Sequence, residues 1–483
     1  MCADYRHASA PLVYEDQPHA QPRDTHMLSA HPSTAPAADP AQALYGKITR
    51  KLIPFLCLCY LAAYLDRINI GFAKLQMLGD LQFSETAYGL GAGLFFVGYI
   101  LFEVPSNLLM EKVGARVWIA RIMITWGLLS ACTLLVTTPT QFYAVRFLLG
   151  VAEAGFLPGV LYYLTTWFPT QRRGRIIALF MIGMPLSSVV GGPLSGWIMG
   201  AFDTVAGLRG WQWLFVLEAI PSVLLGILTL WVLPDSYHTA TWLNADEKAL
   251  LQQQLGQDHA EGHHSKHGFR DGFFNLKVWM LGGIDFSILL SAYALAFWMP
   301  TLIRNAGATD NFHIGVLTAL PSLAALIGML MIGASSDRHR ERRWHIIVPF
   351  VIGAAAMAAS TFFSHNLLAI VLLFAIASAA ILGAVPVFFS LPATFLTGRA
   401  AATGFALACS LANIAGLVSN GLSSYWQQGS IEPVDKRAGL VLGFAAVFLT
   451  LARASIAAVL ALAMLGLLKA CRALLITSSF SGR

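Results

Sequence analysis

Charged residues are scarce in this chain. Only 12% of its 483 residues are Asp, Glu, Lys or Arg, whereas 57% are hydrophobic, and the mean hydropathy is +0.64. One soluble core cannot hide so much apolar surface from water. The composition therefore excludes an ordinary soluble domain and predicts an all-α polytopic membrane protein.

Cysteines and catalytic motifs are also lacking. There are six cysteines, four of them inside apolar segments, so no disulfide framework is expected. The motifs H-E-x-x-H and G-x-S-x-G and a phosphate-binding loop are absent. We therefore expect neither an enzyme nor a metal site, and no cofactor other than protons as a coupling ion. The net charge of +6 is spread over many short loops, which argues against nucleic-acid binding.

Apolar segments long enough to cross a bilayer recur along most of the chain. About 20 residues of helix span the hydrocarbon layer. Twelve such segments are predicted, near 51–74, 86–109, 117–137, 141–167, 176–201, 211–233, 276–302, 314–333, 345–363, 367–395, 401–426 and 438–468. They divide the chain into a disordered tail (1–44), a first six-helix bundle (45–234), a central loop (235–275), a second six-helix bundle (276–473) and a short C-terminal tail (474–483).

Basic residues favour one set of loops over the other. Lys47, Arg50, Lys51, Lys112 and Arg116 are on one side, together with the clusters at 172–175 and 338–343. The positive-inside rule places that side, and both termini, in the cytoplasm. The predicted location is the cytoplasmic (inner) membrane of a bacterium, with the lipid bilayer as a partner.

Two loops repeat each other at matching places in the two halves. They read "NLLMEKVGAR" (107–116) and "GASSDRHRER" (333–342), so Glu111-Lys112 corresponds to Asp337-Arg338. Parallel halves of this kind predict a transporter that binds its substrate between them, near the middle of the membrane.

These loops resemble the degenerate signature G-x-L-x-D-R-x-G-R of the major facilitator superfamily. The stretches "YLDRINIGFAKLQM", "GYILFEVPSNLL", "RFLLGVAEAGFLPG", "GWQWLFVLEAIPS" and "FWMPTLI" are similar to its anion:cation symporter branch, which includes tartrate, phthalate, hydroxyphenylacetate and sugar-acid permeases. The resemblance implies twelve helices in two pseudo-symmetric halves, a monomer, and proton-coupled uptake of a small organic carboxylate. It assigns gating to the loop residues Glu111, Lys112, Gly114, Arg116, Asp337 and Arg338.

Four charged residues fall within predicted spans: Asp66, Arg67, Arg146 and Glu153. Each would cost roughly 2.5–3.5 kcal/mol if it faced lipid, so we expect all four to face the protein interior. At 1.5 Å per residue, Asp66 and Arg146 lie at similar depths, which predicts a contact between them. Glu153 lies two helical turns beyond Arg146 on the same face.

These charges suggest a division of roles. Arg67 and Arg146 are expected to bind the substrate carboxylate, because the guanidinium fork matches its geometry. Asp66 and Glu153 are expected to carry the coupling protons, and the resemblance implies the same roles. A purely structural ion network joining the first and fourth spans remains the alternative.

Aromatic and polar side chains complete the expected site. Tyr64 shares a helix face with Arg67. Tyr99, Tyr293, Phe297 and Trp298 are further candidates, with helix packing as the alternative for each. The resemblance adds Ser390 and Asn413 from the second half.

Other residues with side chains suited to chemistry receive simpler interpretations. Glu103 is expected to pair with basic residues at a gate, and Glu218 to brace helix packing. Asp285 and Arg453 depart from the family pattern. The His-rich central loop is expected to be solvated rather than metal-binding.

Two other functions remain open. A drug/proton antiporter would share the fold, and a non-transporting membrane sensor would share the pocket. Uptake of carboxylates under a proton gradient would separate a symporter from both.

Overall fold

The computed structural model describes residues 40–263, 276–363, 365–390 and 412–420. All regular structure in these ranges is helical. The first half contains eight α-helices: α1 (Pro40–Leu81), α2 (Glu85–Val113), α3 (Ala115–Ala131), α4 (Pro139–Glu153), α5 (Phe156–Thr165), α6 (Thr170–Met181), α7 (Gly183–Ala201) and α8 (Gly210–Val232). Short 3₁₀ turns follow α3 and α7, at Cys132–Leu135 and Val205–Gly207.

The remaining helices belong to the central segment and the second half. They are α9 (Ala245–His263), α10 (Leu276–Asn305), α11 (Asn311–His339), α12 (Trp344–Ser360), α13 (Leu367–Gly383) and α14 (Val385–Ser390), with a 3₁₀ turn at Thr361–Phe363. Residues 412–420 are also helical.

Polar residues between the apolar runs set where several helices begin. The Ser84 side chain accepts a hydrogen bond from the backbone of Ala87 at the start of α2, and Asp310 does the same for His313 at the start of α11. Thr138 and Gln141 form a capping box at the start of α4. These contacts satisfy backbone N–H groups that have no partner within the helix.

The fourth predicted span is one membrane crossing made of two helices. Ala154 leaves the helical conformation, and Gly155 follows with a φ of +87°, so α4 ends at Glu153 and α5 begins at Phe156. A left-handed φ favours glycine, which explains the residue at this break. The break places Glu153 at the end of a helix in the middle of the membrane.

The predicted spans one to ten agree with the described helices. Nine helical stretches are long and apolar enough to cross a membrane within the described ranges, and Trp344–Ser360 is a shorter tenth. The eleventh predicted span is described only at 412–420, and the twelfth, with Arg453, lies outside the described residues, as do most of the predicted tails. The helix α1 already begins at Pro40, within the expected tail, and the expected central loop contains the helix α9.

The two halves contact each other closely at one face of the bundle. We call the face that carries Lys47, Lys112, Arg175 and Arg338 the basic face, and the other one the opposite face. Toward the opposite face, α7 crosses α11 so closely that a Cβ atom on Gly192 would lie 2.6 Å from the carbonyl oxygen of Gly315. Only glycine permits this approach of two backbones.

At the basic face a space remains between the described parts of the two halves. A cleft of about 450 Å³ lies between α6 of the first half and α11 and α14 of the second. Arg175 and Met181 line one wall, and Asp337, Arg342 and Phe389 line the other. The described residues therefore form a bundle that is closed at the opposite face and has an open cleft at the basic face.

Candidate substrate and proton site

Arg67 and Glu153 form an ion pair in the interior of the bundle. The Arg67 Nη2 atom donates to Glu153 Oε1, joining α1 to the end of α4. The two side chains are only 10% and 5% exposed. Arg67 Nη1 also donates to the Tyr293 hydroxyl, at 3.4 Å, so the pair reaches α10 in the second half. The sequence predicted these residues to be interior, but not that they pair with each other.

Aromatic rings surround the Arg67 guanidinium. Its Cζ atom lies 5.3 Å from the centroid of Tyr64, 5.4 Å from that of Phe95 and 5.4 Å from that of Tyr99. Cation–π attraction is strongest where water is excluded, so these rings stabilise the buried charge. Tyr64 and Tyr99 were predicted at this site, whereas Phe95 was missed because a Phe in an apolar run carries no distinguishing signal.

The second half contributes further rings to the same cluster. Phe96 packs edge-on against Tyr293, with centroids 4.7 Å apart, and lies 6.2 Å from Phe297. Phe96 also contacts Gly416 in the helical segment 412–420. The cluster thus joins the two halves at the centre of the bundle.

The predicted contact between Asp66 and Arg146 is wrong. Asp66 instead accepts three hydrogen bonds from neutral donors: Trp126 Nε1 at 2.9 Å, Ser130 Oγ at 2.9 Å and Ser222 Oγ at 2.6 Å. These donors belong to α3 and α8, so Asp66 faces away from α4. Matching the depths of charged residues could not reveal this, because Trp and Ser are not recognisable as partners in an apolar sequence.

Arg146 has guanidinium nitrogens without acceptors among the described residues. It is 1% exposed, and its Nε and Nη2 atoms have no hydrogen-bond partner there. Its Cζ atom lies 5.0 Å from the centroid of Phe95, the ring that also faces Arg67. Two arginines therefore flank one aromatic ring, and Glu153 pairs with only one of them.

Glu103 and Asn413 meet across the two halves. The Asn413 amide donates to Glu103 Oε2 at 3.4 Å, and Glu103 is buried. The expected pairing of Glu103 with basic gate residues is therefore wrong for the part of the chain that the structure describes. Asn413 lies at the junction of the two halves, where the resemblance implied a substrate-binding residue of the second half. Ser390 ends α14, and its side chain lies outside the described set.

Trp298 lies apart from the arginine cluster. Its ring is fully buried, with Lys74 Nζ 3.6 Å from its centroid, and Lys74 also forms an ion pair with Glu85 at 2.6 Å. Neighbouring residues on a helix point about 100° apart, so Phe297 and Trp298 face different partners. Trp298 thus takes part in a contact between the halves nearer the opposite face, and its predicted role in the substrate pocket stays a prediction.

The repeated loops lie at the basic face, where each has an ion pair with a residue near it. Arg116 pairs with Asp235 at 3.3 Å, and Asp337 pairs with Arg342 at 3.6 Å. Gly114 has a φ of +98°, which a side chain would strain. Glu111, Lys112 and Arg338 are exposed. The predicted gating role of these residues stays a prediction.

A series of contacts links the basic-face cleft to the arginine cluster. Met181 lines the cleft and accepts a weak hydrogen bond from the Tyr60 hydroxyl at 3.8 Å. Tyr60 packs edge-on against Tyr64, which faces Arg67. The cluster therefore lies directly behind the inner wall of the cleft.

A match to a family model decides what kind of protein has this architecture. Residues 56–420 match the model of the Major Facilitator Superfamily. The chain belongs to that superfamily. It is an integral membrane transporter, and the predicted fold class is confirmed.

Curated relatives of this transporter are themselves named as transporters. It is 80% identical over 381 residues to the "Putative metabolite transport protein NicT" of Pseudomonas putida, which covers 79% of this chain and 87% of that protein. It is 42% identical to a "Putative tartrate transporter" of Agrobacterium vitis and to a "Quinolone resistance transporter" of Acinetobacter baumannii, each match covering 77% of this chain and 85% of the relative. The relatives support transport of small metabolites.

Solved structures support the fold. A bacterial homologue of the human lysosomal transporter Spinster aligns with a TM-score of 0.68 at 18% identity, covering 86% of this chain and 96% of that one. The Escherichia coli xylose transporter XylE aligns with a TM-score of 0.65 at 13% identity, covering 84% and 96%.

Proposed function

We propose that this transporter is a symporter that takes up a small organic carboxylate together with protons. The observation that carries the proposal is the buried pair of Arg67 and Glu153, with Arg146 beside it and without a carboxylate partner of its own among the described residues. Glu153 is the one acid that pairs directly with either arginine among the described residues, and the buried acid Glu103 meets Asn413 instead, so Arg146 can take one further negative charge. A substrate carboxylate would supply it.

Protonation of Glu153 would make Arg67 available to the substrate. A buried ion pair is stable only while both partners are charged, because each charge compensates the lost hydration of the other. A neutral Glu153 no longer compensates the buried positive charge of Arg67. The planar guanidinium would then bind the substrate carboxylate through two parallel hydrogen bonds, and proton uptake would favour anion binding.

Release would follow the same steps in reverse. Loss of the proton restores the charge of Glu153, which then competes with the substrate for Arg67. The two halves are closed at the opposite face and leave a cleft at the basic face. Release of substrate at the basic face requires this arrangement. Because basic loops remain on the cytoplasmic side, we assign the basic face and both termini to the cytoplasm of a bacterial cell.

The class of carboxylate follows from the surroundings of Arg67. Tyr64 and Tyr99 offer aromatic faces and hydroxyl groups, which suit either an aromatic acid or a hydroxylated acid such as tartrate or a sugar acid. The relative named as a tartrate transporter supports the second group.

Proteoliposomes test the proposal. Wild-type protein should accumulate a labelled carboxylate when an inward proton gradient is imposed. Glu153→Gln should retain exchange of internal for external substrate and lose gradient-driven accumulation, because exchange needs binding and reorientation but no net proton movement. Asp246→Asn, an exposed acid on α9, is the matched control and should behave as wild type. Full accumulation by Glu153→Gln would contradict the proposal.

A drug/proton antiporter is the second candidate. The relative named as a quinolone resistance transporter favours it. The same vesicles distinguish the two functions: proton-driven export of a quinolone, without gradient-driven carboxylate uptake, would select the antiporter.

A further inference from the structure

A second group of acids lies in the first half, away from the arginine cluster. Asp66 and Glu218 are 3% and 1% exposed, and no Lys, Arg or His of the described residues forms an ion pair with either. Glu218 lies one helical turn from Ser222 on α8, and the Ser222 hydroxyl donates to Asp66 at 2.6 Å. The two carboxyl groups therefore occupy one stretch of the interface between α1 and α8.

The hydrogen bonds around the two acids differ. Asp66 accepts from three donors, two on Oδ2 and one on Oδ1, which is the environment of an ionised carboxylate. Glu218 accepts from Ser195 on Oε1 at 2.6 Å, while its Oε2 atom has no partner among the described residues. A buried oxygen left unpaired is costly, and it is most costly if it carries charge.

Asn69 lies beside the unpaired oxygen of Glu218. It is fully buried one turn after Asp66 on α1, and its side chain is within interaction range of Glu218. Its Nδ2 and Oδ1 atoms are both without hydrogen-bond partners among the described residues. Asn69 can therefore donate to an ionised Glu218 through Nδ2 or accept from a protonated one through Oδ1, and it serves either protonation state.

Electrostatics favours a proton on Glu218. The charge of Asp66 opposes ionisation of Glu218, and the charge of Glu153 opposes ionisation of Asp66. Ser195 on α7 and Trp126 and Ser130 on α3 contribute no charge. Two neighbouring carboxylates without a cation cannot both be ionised at low cost, so the pair holds a proton.

We propose that Glu218 is protonated at neutral pH and that Glu218 and Asp66 together form a proton site separate from Glu153. This site rests on the proton-coupled transport proposed above and adds a second place for a proton to it. The protonation of Glu218 itself does not depend on any substrate.

Infrared spectroscopy of the purified full-length protein in lipid tests this proposal without a transport measurement. At neutral pH the wild type should show the carbonyl band of a buried, protonated carboxylic acid, and Glu218→Gln should lack it. Asp246→Asn, the exposed control, should retain the band. A spectrum of Glu218→Gln identical to that of the wild type, or loss of the band in Asp66→Asn alone, would overturn the assignment.

Thermal unfolding provides a second readout, because the Gln amide imitates a protonated Glu. From mildly acidic to neutral pH the wild type should lose stability, because the unfolded chain releases the proton of Glu218 above the usual carboxyl pKa while the folded protein keeps it, and Glu218→Gln should lack this loss. At neutral pH Glu218→Gln should therefore unfold at the wild-type temperature or above it. A rise in wild-type stability with Na⁺ but not with choline, absent in Glu218→Gln, would place a metal cation at the site and would refute the proton.

Failure of the two proposals can be told apart. If Glu153→Gln accumulates substrate fully while the Glu218 band is present, only the transport proposal fails. If the band is absent while Glu153→Gln loses accumulation, only the proton on Glu218 fails.

Discussion

The crossing of α7 and α11 makes closure at the opposite face sensitive to a single methyl group. In Gly192→Ala, the new Cβ would lie 2.6 Å from both the Gly315 carbonyl oxygen and the Thr318 hydroxyl oxygen, whereas ordinary contacts begin at 3.4 Å. The helices must therefore separate by about 0.8 Å. Overpacking of this kind costs about 1–3 kcal/mol.

This cost falls on the state that is closed at the opposite face. At about 1.4 kcal/mol per factor of ten, the conformational equilibrium should shift by roughly 5- to 150-fold toward a state that is open there. The expected shift does not come from a weaker α7 helix, because Ala stabilises a helix by about 1 kcal/mol relative to Gly.

Distances between spin labels measure the shift. Cysteines replacing Gly79 and Thr309, in a background without the native cysteines, report the separation of the two halves at the opposite face. Gly192→Ala should increase the population with a long distance. Gly200→Ala on the same helix should not, because a Cβ there meets nothing within 4 Å. Identical distance distributions for the wild type and Gly192→Ala would refute the reasoning.

Three further predictions concern stability, measured by thermal unfolding of the purified protein or by hydrogen exchange. Asp66→Leu should cost about 3 kcal/mol or more, because three buried donors lose their acceptor, and Asp66→Asn should cost less; equal losses would argue against the hydrogen bonds. Arg67→Gln should cost about 3–5 kcal/mol by leaving Glu153 buried without its partner, and adding Glu153→Gln should recover most of that; additive losses would count against the pair. The hydrogen bond from Lys47 lowers the pKa of Glu247, so its contribution is present above the usual carboxyl pKa and is lost as pH falls through the lowered one. Hydrogen exchange in α9 should therefore accelerate in acid, and Glu247→Gln should show fast exchange already at neutral pH; slow exchange in that variant would exclude the contact as the cause.

Long apolar runs predicted the described spans, and the two repeated loops predicted their division into two halves. Each described span follows from about 20 apolar residues, and the position of the basic loops follows from the same pattern. The charges of α1 and α4 were also correctly predicted to be interior, because the cost of exposing them to lipid leaves no alternative. Spacing placed Tyr64 on one helix face with Arg67, whereas Tyr99 and Tyr293 were candidates for the same pocket with helix packing as the alternative.

Partner choice was not predictable in the same way. Depth along a helix ranks charged residues by height, but it does not say which way a side chain points around the helix axis. Asp66 and Arg67 are adjacent and therefore point about 100° apart, so one meets Ser222 and the other Glu153. Neutral donors such as Trp126 carry no charge that a sequence argument can match.

Contacts between distant parts of the chain were the other limit. Lys74, near the end of α1, is buried against Trp298 of the second half, a contact that its sequence position does not indicate. Glu103 and Asn413 meet only because the halves close on one another. Such pairs depend on the relative position of two bundles, which no local pattern encodes.

Because α1 is long, a small tilt near Arg67 produces a larger displacement at its start. From Arg67 to Lys47 the helix runs for roughly 30 Å, at 1.5 Å per residue. A tilt of about 5° around the height of Arg67 would displace Lys47 by about 2.6 Å, carrying with it the attachment of α9 through Glu247. A change at the buried Arg67 guanidinium would then move α9 outside the bilayer. A probe attached to α9 could follow the transport cycle without contacting the substrate path.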